Sequence, residues 1–125
     1  MSAVIMASKV EIDLSRQIVG EQLSGVTFVM DYLQLQFNPP PIINAYTPVT
    51  VSANGKSCVS GDDQFRNILC GQITKIVKSV TIRDEEAFLI AFDDGSTISL
   101  SLKPSDYVGP EAVDFHGRDN LIMVI

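Results

Sequence analysis

Few residues in this 125-residue chain could do chemistry, and their spacing is informative. The one histidine, His116, stands between Asp114 and Asp119 beside Gly117, a setting that would suit a general base or a metal ligand. The plainer reading is a solvated histidine in a polar turn. A zinc site takes three or four ligands, and Cys58 and Cys70 lie outside any tight metal-binding spacing. Neither cysteine has a base near it in sequence that would activate it as a nucleophile. The acidic pairs Asp62-Asp63, Glu85-Glu86 and Asp93-Asp94 look like paired carboxylates. Adjacent side chains on an extended backbone point apart, however, so these pairs read as helix caps and turns. No calcium-loop spacing, nucleophile elbow, phosphate loop or dinucleotide fingerprint occurs. The expectation is therefore no metal, no cofactor and no enzyme.

The best candidate for a functional surface is the segment Asp106-Tyr107-Val108-Gly109-Pro110-Glu111. Irregular segments held on a rigid sheet often carry binding, and Tyr107 offers a broad apolar ring with a polar tip. Tyr32 and Tyr46 could extend that surface. With His116 this gives one functional reading, a small-molecule binder or enzyme whose pocket brings Tyr107, Glu111 and His116 together. The structural alternative is a loop that wraps the sheet and buries Tyr107 and Val108 as a lid.

Behind these residues must stand a scaffold. A chain of this length, 46% hydrophobic and 19% charged with a mean hydropathy of +0.22, can bury one core without staples. Its longest apolar runs, Ala87–Phe92 and Leu121–Ile125, are far short of a bilayer span. Residues 1–7 are mildly apolar without a basic start or a long apolar stretch, so no signal peptide is expected there. Two cysteines then fit reduced thiols in a cytoplasmic protein, with a Cys58–Cys70 bond as the alternative. The net charge of −6, with only nine Lys and Arg, argues against nucleic acid, and an acidic surface could receive a basic partner.

The chain also reads twice. Arg16-Gln17-Ile18-Val19 with Gln22-Leu23-Ser24 returns as Arg66-Asn67-Ile68-Leu69 with Gln72-Ile73-Thr74, and Leu33, Leu35 and Phe37 correspond to Phe88, Ile90 and Phe92. This predicts α+β architecture: two αβββ units, 13–51 and 62–103, forming a mainly antiparallel sheet with two short helices. Asp13 or Ser15 would cap the first helix, which ends near Gly20. Asp62 or Asp63 would cap the second, which Gly71 closes. Strands are expected at 26–30, 33–37, 42–51, 75–82, 87–92 and 96–103, with turns at Asn54-Gly55 and Asp93-Asp94-Gly95. Residues 104–120 read as irregular, and 121–125 as a last strand that must be buried or paired, the whole making one domain over 1–125. Whether the units share one sheet or make two is open.

The runs Asp63-Gln64-Phe65-Arg66-Asn67-Ile68-Leu69-Cys70-Gly71, Phe92-Asp93-Asp94-Gly95 and Ser101–Ala112 resemble a group of small, uncharacterised bacterial proteins over residues 20–115. The resemblance implies a bacterial cytosolic protein and carries no catalytic residues across. The leading functional expectation is a non-enzymatic protein-interaction module that pairs through a sheet edge or the C-terminal strand, with a copy of itself or another protein.

Overall fold

The computed structural model describes residues 8–125; residues 1–7, read above for a signal peptide, lie outside the described residues. Helix α1 spans Lys9–Ile18 and starts four residues before Asp13. The Ser8 hydroxyl accepts the Glu11 N–H at 3.1 Å and caps it, while Asp13 pairs with Lys9 one turn earlier. The helix buries Leu14 and Ile18. Helix α2, Phe65–Cys70, buries Phe65 and Leu69. Its N-cap is Gln64, without a side-chain cap bond, so the expected caps at Asp62 and Asp63 are not used. Asp62 instead accepts the Val59 N–H at 2.9 Å and fixes the turn at Gly61, whose φ of +97° suits glycine.

Among the described residues, ten strands pair antiparallel in two sheets. In chain order they are β1 Gly25–Val29, β2 Tyr32–Gln36, β3 Ile42–Ala45, β4 Val49–Ala53, β5 Lys56–Val59, β6 Val77–Arg83, β7 Ala87–Phe92, β8 Thr97–Ser101, β9 Val113–His116 and β10 Ile122–Val124. One sheet has the order β1-β2-β3-β9-β10 and the other β5-β4-β8-β7-β6. Each sheet thus takes three consecutive strands from one half of the chain and a hairpin from the other half.

Two expectations are corrected here. The single strand expected over 42–51 is two strands in different sheets, broken where Tyr46, Thr47 and Pro48 cross between them. Pro48 has no N–H to give a ladder, while the buried Thr47 hydroxyl donates to the Ser101 carbonyl at 2.6 Å and ties the crossing down. The segment 104–120 is not irregular throughout: a short 3-10 turn at Pro104–Asp106 leads to β9, which lies between β3 and β10. Strand β5 had no counterpart in the expectations, although Asn54-Gly55, both at positive φ, is the two-residue turn that makes β4 and β5 a hairpin.

Alternation accounts for the core. Leu33, Leu35 and Phe37 point inward from one sheet, and Phe88, Ile90, Phe92, Ile98 and Leu100 from the other, into a single apolar cluster that also holds Leu14, Ile18, Phe65 and Leu69. The helices cover sheet edges as well. Glu11 of α1 accepts the Ile82 N–H of edge strand β6 at 2.6 Å, and Arg66 of α2 lies over the Phe28 ring of edge strand β1.

Candidate functional site

The outer face of the first sheet carries a polar ladder that runs across its strands. Thr27 on β1 accepts from Gln36 on β2, Gln36 donates to Gln34, and Gln34 donates to Asn44 on β3. Asn44 Nδ2 donates to Asp114 Oδ1 on β9 at 2.8 Å, and His116 Nε2 lies 3.0 Å from the same oxygen. The Tyr46 hydroxyl donates to Asp114 Oδ2. These residues meet because polar positions alternate with core positions on β2, β3 and β9, and because Asn44 is registered with Asp114 across the β3–β9 pair.

Asp114 holds the Tyr46 proton in place. The hydrogen bond to the carboxylate, burial, and the negative charges of Asp114 and Glu111 push the Tyr46 pKa up to about 12. Tyr46 is therefore a fixed donor and also stacks obliquely on Tyr32, with ring centroids 5.5 Å apart. The arrangement orders a surface; its hydroxyl points at a carboxylate rather than at the imidazole.

Beyond His116 lies β10, the edge strand of this sheet among the described residues. The Ile125 and Val113 backbones exchange two hydrogen bonds, and Gly117 N–H donates to Leu121. Residues 121, 123 and 125 therefore bond to β9, and by alternation the N–H and C=O groups of Ile122 and Val124 face away from the sheet. The side chains of Ile122 and Val124 are 62% and 56% exposed, whereas Leu121, Met123 and Ile125 pack against the core.

The expected site residues do not line one cavity. Tyr107 follows the 3-10 turn, packs on the core and lines a groove of about 320 Å³ with Ile82, Leu102, Pro104 and Ile125, which neither Glu111 nor His116 lines. Val108, expected under the lid, is 94% exposed. Glu111 and His116 lie at opposite ends of β9, and His116 is an exposed strand-end residue rather than part of a turn. Both cysteines are free thiols. Among the described residues, no cluster of three His, Cys, Asp or Glu side chains is placed to hold a metal, and no helix is long and apolar enough to cross a membrane.

The sequence reading missed the ladder residues Gln34, Asn44 and Asp114 as a unit. Gln34 and Gln36 stood out as the outward face of one strand, but their continuation needed the β3–β9 pairing, which joins residues 70 apart. No family model, curated protein or solved structure matches this chain.

Proposed function

We propose that this chain is a non-enzymatic protein-interaction domain that pairs with a second copy of itself along β10. One observation carries the reading: among the described residues, β10 is the edge strand left without cover or charge. Natural sheets protect their edges with charged side chains or covering elements. Edge strand β6 has Glu11 of α1 on it and carries Lys78 and Arg83, β5 carries Lys56, and β1 has Arg66 of α2 over Phe28. Strand β10 is Ile122-Met123-Val124.

The register suits self-pairing. The backbone groups that face out belong to Ile122 and Val124, so an antiparallel pair centred on Met123 sets Ile122 of one copy opposite Val124 of the other. Each such pair exchanges two backbone hydrogen bonds and places two apolar side chains side by side, with no like charges opposed. The product is a continuous ten-stranded sheet. Amide hydrogen exchange tests this directly: the Ile122 and Val124 N–H groups should become protected as concentration rises, and exchange that stays fast at every concentration counts against the pairing.

We also read the chain as two copies of one unit, an αβββ segment followed by a ββ hairpin, with the hairpins exchanged. Replacing every strand of β1-β2-β3-β9-β10 by its counterpart in the other half yields β6-β7-β8-β4-β5, the order of the second sheet. The pairs Leu33–Ala45 and Leu35–Ile43 have Phe88–Leu100 and Ile90–Ile98 as counterparts, each fifty-five positions on. Closing bonds repeat too: Tyr46 N–H to Ala112 O matches Ser101 N–H to Pro48 O, and Ser60 N–H to Val49 O matches Ile125 N–H to Val113 O. The resemblance noted above adds a bacterial, cytosolic setting to this proposal.

A further inference from the structure

We infer that Asp62 sets the size of the assembly: it closes β5, the edge strand built like β10, so that copies join in twos and grow no further. The inference deepens the pairing proposed for β10 and rests on it. Both strands stand at the end of their sheets, β10 beside β9 and β5 beside β4. The Ser60 N–H donates to the Val49 carbonyl at 2.8 Å, so alternate residues of β5 bond to β4. The N–H and C=O groups of Ser57 and Val59 therefore face away from the sheet, as those of Ile122 and Val124 do on β10. Val59 is 40% exposed, and Cys58 packs against the core as Met123 does.

A second open edge would change the product. A copy with one self-complementary edge pairs once and stops at two, whereas a copy with two such edges pairs at both and grows into a filament. The register of β5 suits self-pairing. An antiparallel pair centred on Cys58 sets Ser57 of one copy opposite Val59 of the other, and each such pair exchanges two backbone hydrogen bonds. Lys56 falls opposite Ser60, so no like charges meet.

What prevents this pairing is the turn that leaves the strand. The Asp62 carboxylate accepts the Val59 N–H at 2.9 Å, and the Asp62 N–H donates to the Val59 carbonyl at 3.0 Å. Gly61, at a φ of +97°, lets the chain fold back over its own edge in this way. Both outward groups of Val59 are thereby spent. A second copy arriving there must break two hydrogen bonds for the two it makes, so the exchange brings no gain. Cys58 reports whether the edge has opened. At the centre of a β5 pair the two Cys58 residues face each other with Cα atoms about 4.5 Å apart, within the reach of a disulfide, and their side chains share one face.

The test is light scattering together with copper–phenanthroline cross-linking of the full chain carrying Cys70→Ser, which leaves Cys58 as its one thiol. This parent should stop at twice 13.6 kDa and form no cross-link. Asp62→Pro removes the carboxylate and the N–H together, so the mass should climb past twice 13.6 kDa with concentration and Cys58 should cross-link. Asp62→Asn keeps a carbonyl acceptor and the N–H and should behave as the parent. Adding Ile122→Lys and Val124→Lys to Asp62→Pro should hold the mass at twice 13.6 kDa with the cross-link retained. A parent that stays at 13.6 kDa while Asp62→Pro doubles and cross-links upholds the closure of β5 by Asp62 and overturns the β10 pairing. A folded Asp62→Pro that neither grows nor cross-links overturns the closure, as does growth without the cross-link or growth of Asp62→Asn. If circular dichroism shows Asp62→Pro unfolded, Asp62→Ala decides. Its Val59 amide should exchange about tenfold or more faster than in the parent, and an unchanged rate overturns the closure.

Discussion

At the scale of single residues, Asp114 and Asp94 show how carboxylates serve this surface. Asp114 is 14% exposed at its side chain and joins Asn44, Tyr46 and His116. Asp114→Ala leaves donors without an acceptor and should cost about 1–3 kcal/mol in urea unfolding. Asp114→Asn removes the charge, so the 295 nm titration should show Tyr46 ionising well below 12; an unmoved transition contradicts the assignment. The sign for stability follows. The Tyr46 pKa is raised from 10.0 to about 12, so the contribution is complete below pH 10 and is lost as pH rises through about 12. Asp94 runs the other way. Bonds from Lys75 and Ser96 hold its pKa well below the usual carboxylate range, so its contribution is present above that range and is lost as pH falls. Asp94→Asn should lower the urea midpoint at pH 7, and by progressively less as the pH falls below 3.8; an unchanged midpoint at pH 7 contradicts the ion pair.

At the scale of elements, what could be read in the sequence is what shows a period within one segment. Leu33, Leu35 and Phe37 alternate with glutamines, and the inward face they mark is the buried face of β2. Strand β9 has only four residues between Pro110 and Gly117, two of them polar, and no window that short holds a period. The start of α1 is legible in Ser8-Lys9-Val10-Glu11, which has the spacing of a capping box. Glu11 uses only its backbone for that cap and sends its carboxylate to β6, which makes it the guard of that edge. Glu11→Ala should speed exchange of the Ile82 amide and cost about 1–3 kcal/mol; unchanged exchange contradicts the guard. Ile18 and Ile68 match by letter, whereas the buried pairs of the two helices are Leu14 and Ile18 in α1 and Phe65 and Leu69 in α2. Tyr107 lines a groove that neither Glu111 nor His116 lines, because nearness in sequence across a strand becomes separation in space.

At the scale of the whole molecule, each sheet takes strands from both halves of the chain, so neither half completes a sheet. Fragments 1–62 and 63–125 should therefore be unfolded or self-exchanged alone and co-assemble when mixed in equal amounts. A half that folds as a monomer contradicts this dependence. The central claim, pairing along β10, is tested most directly by solution mass from light scattering over a concentration series. The full chain should approach twice 13.6 kDa, while Ile122→Lys with Val124→Lys, which alters only outward side chains, should stay at 13.6 kDa with an unchanged circular dichroism spectrum. A full chain that remains at 13.6 kDa throughout, or a lysine variant that still doubles, would contradict it.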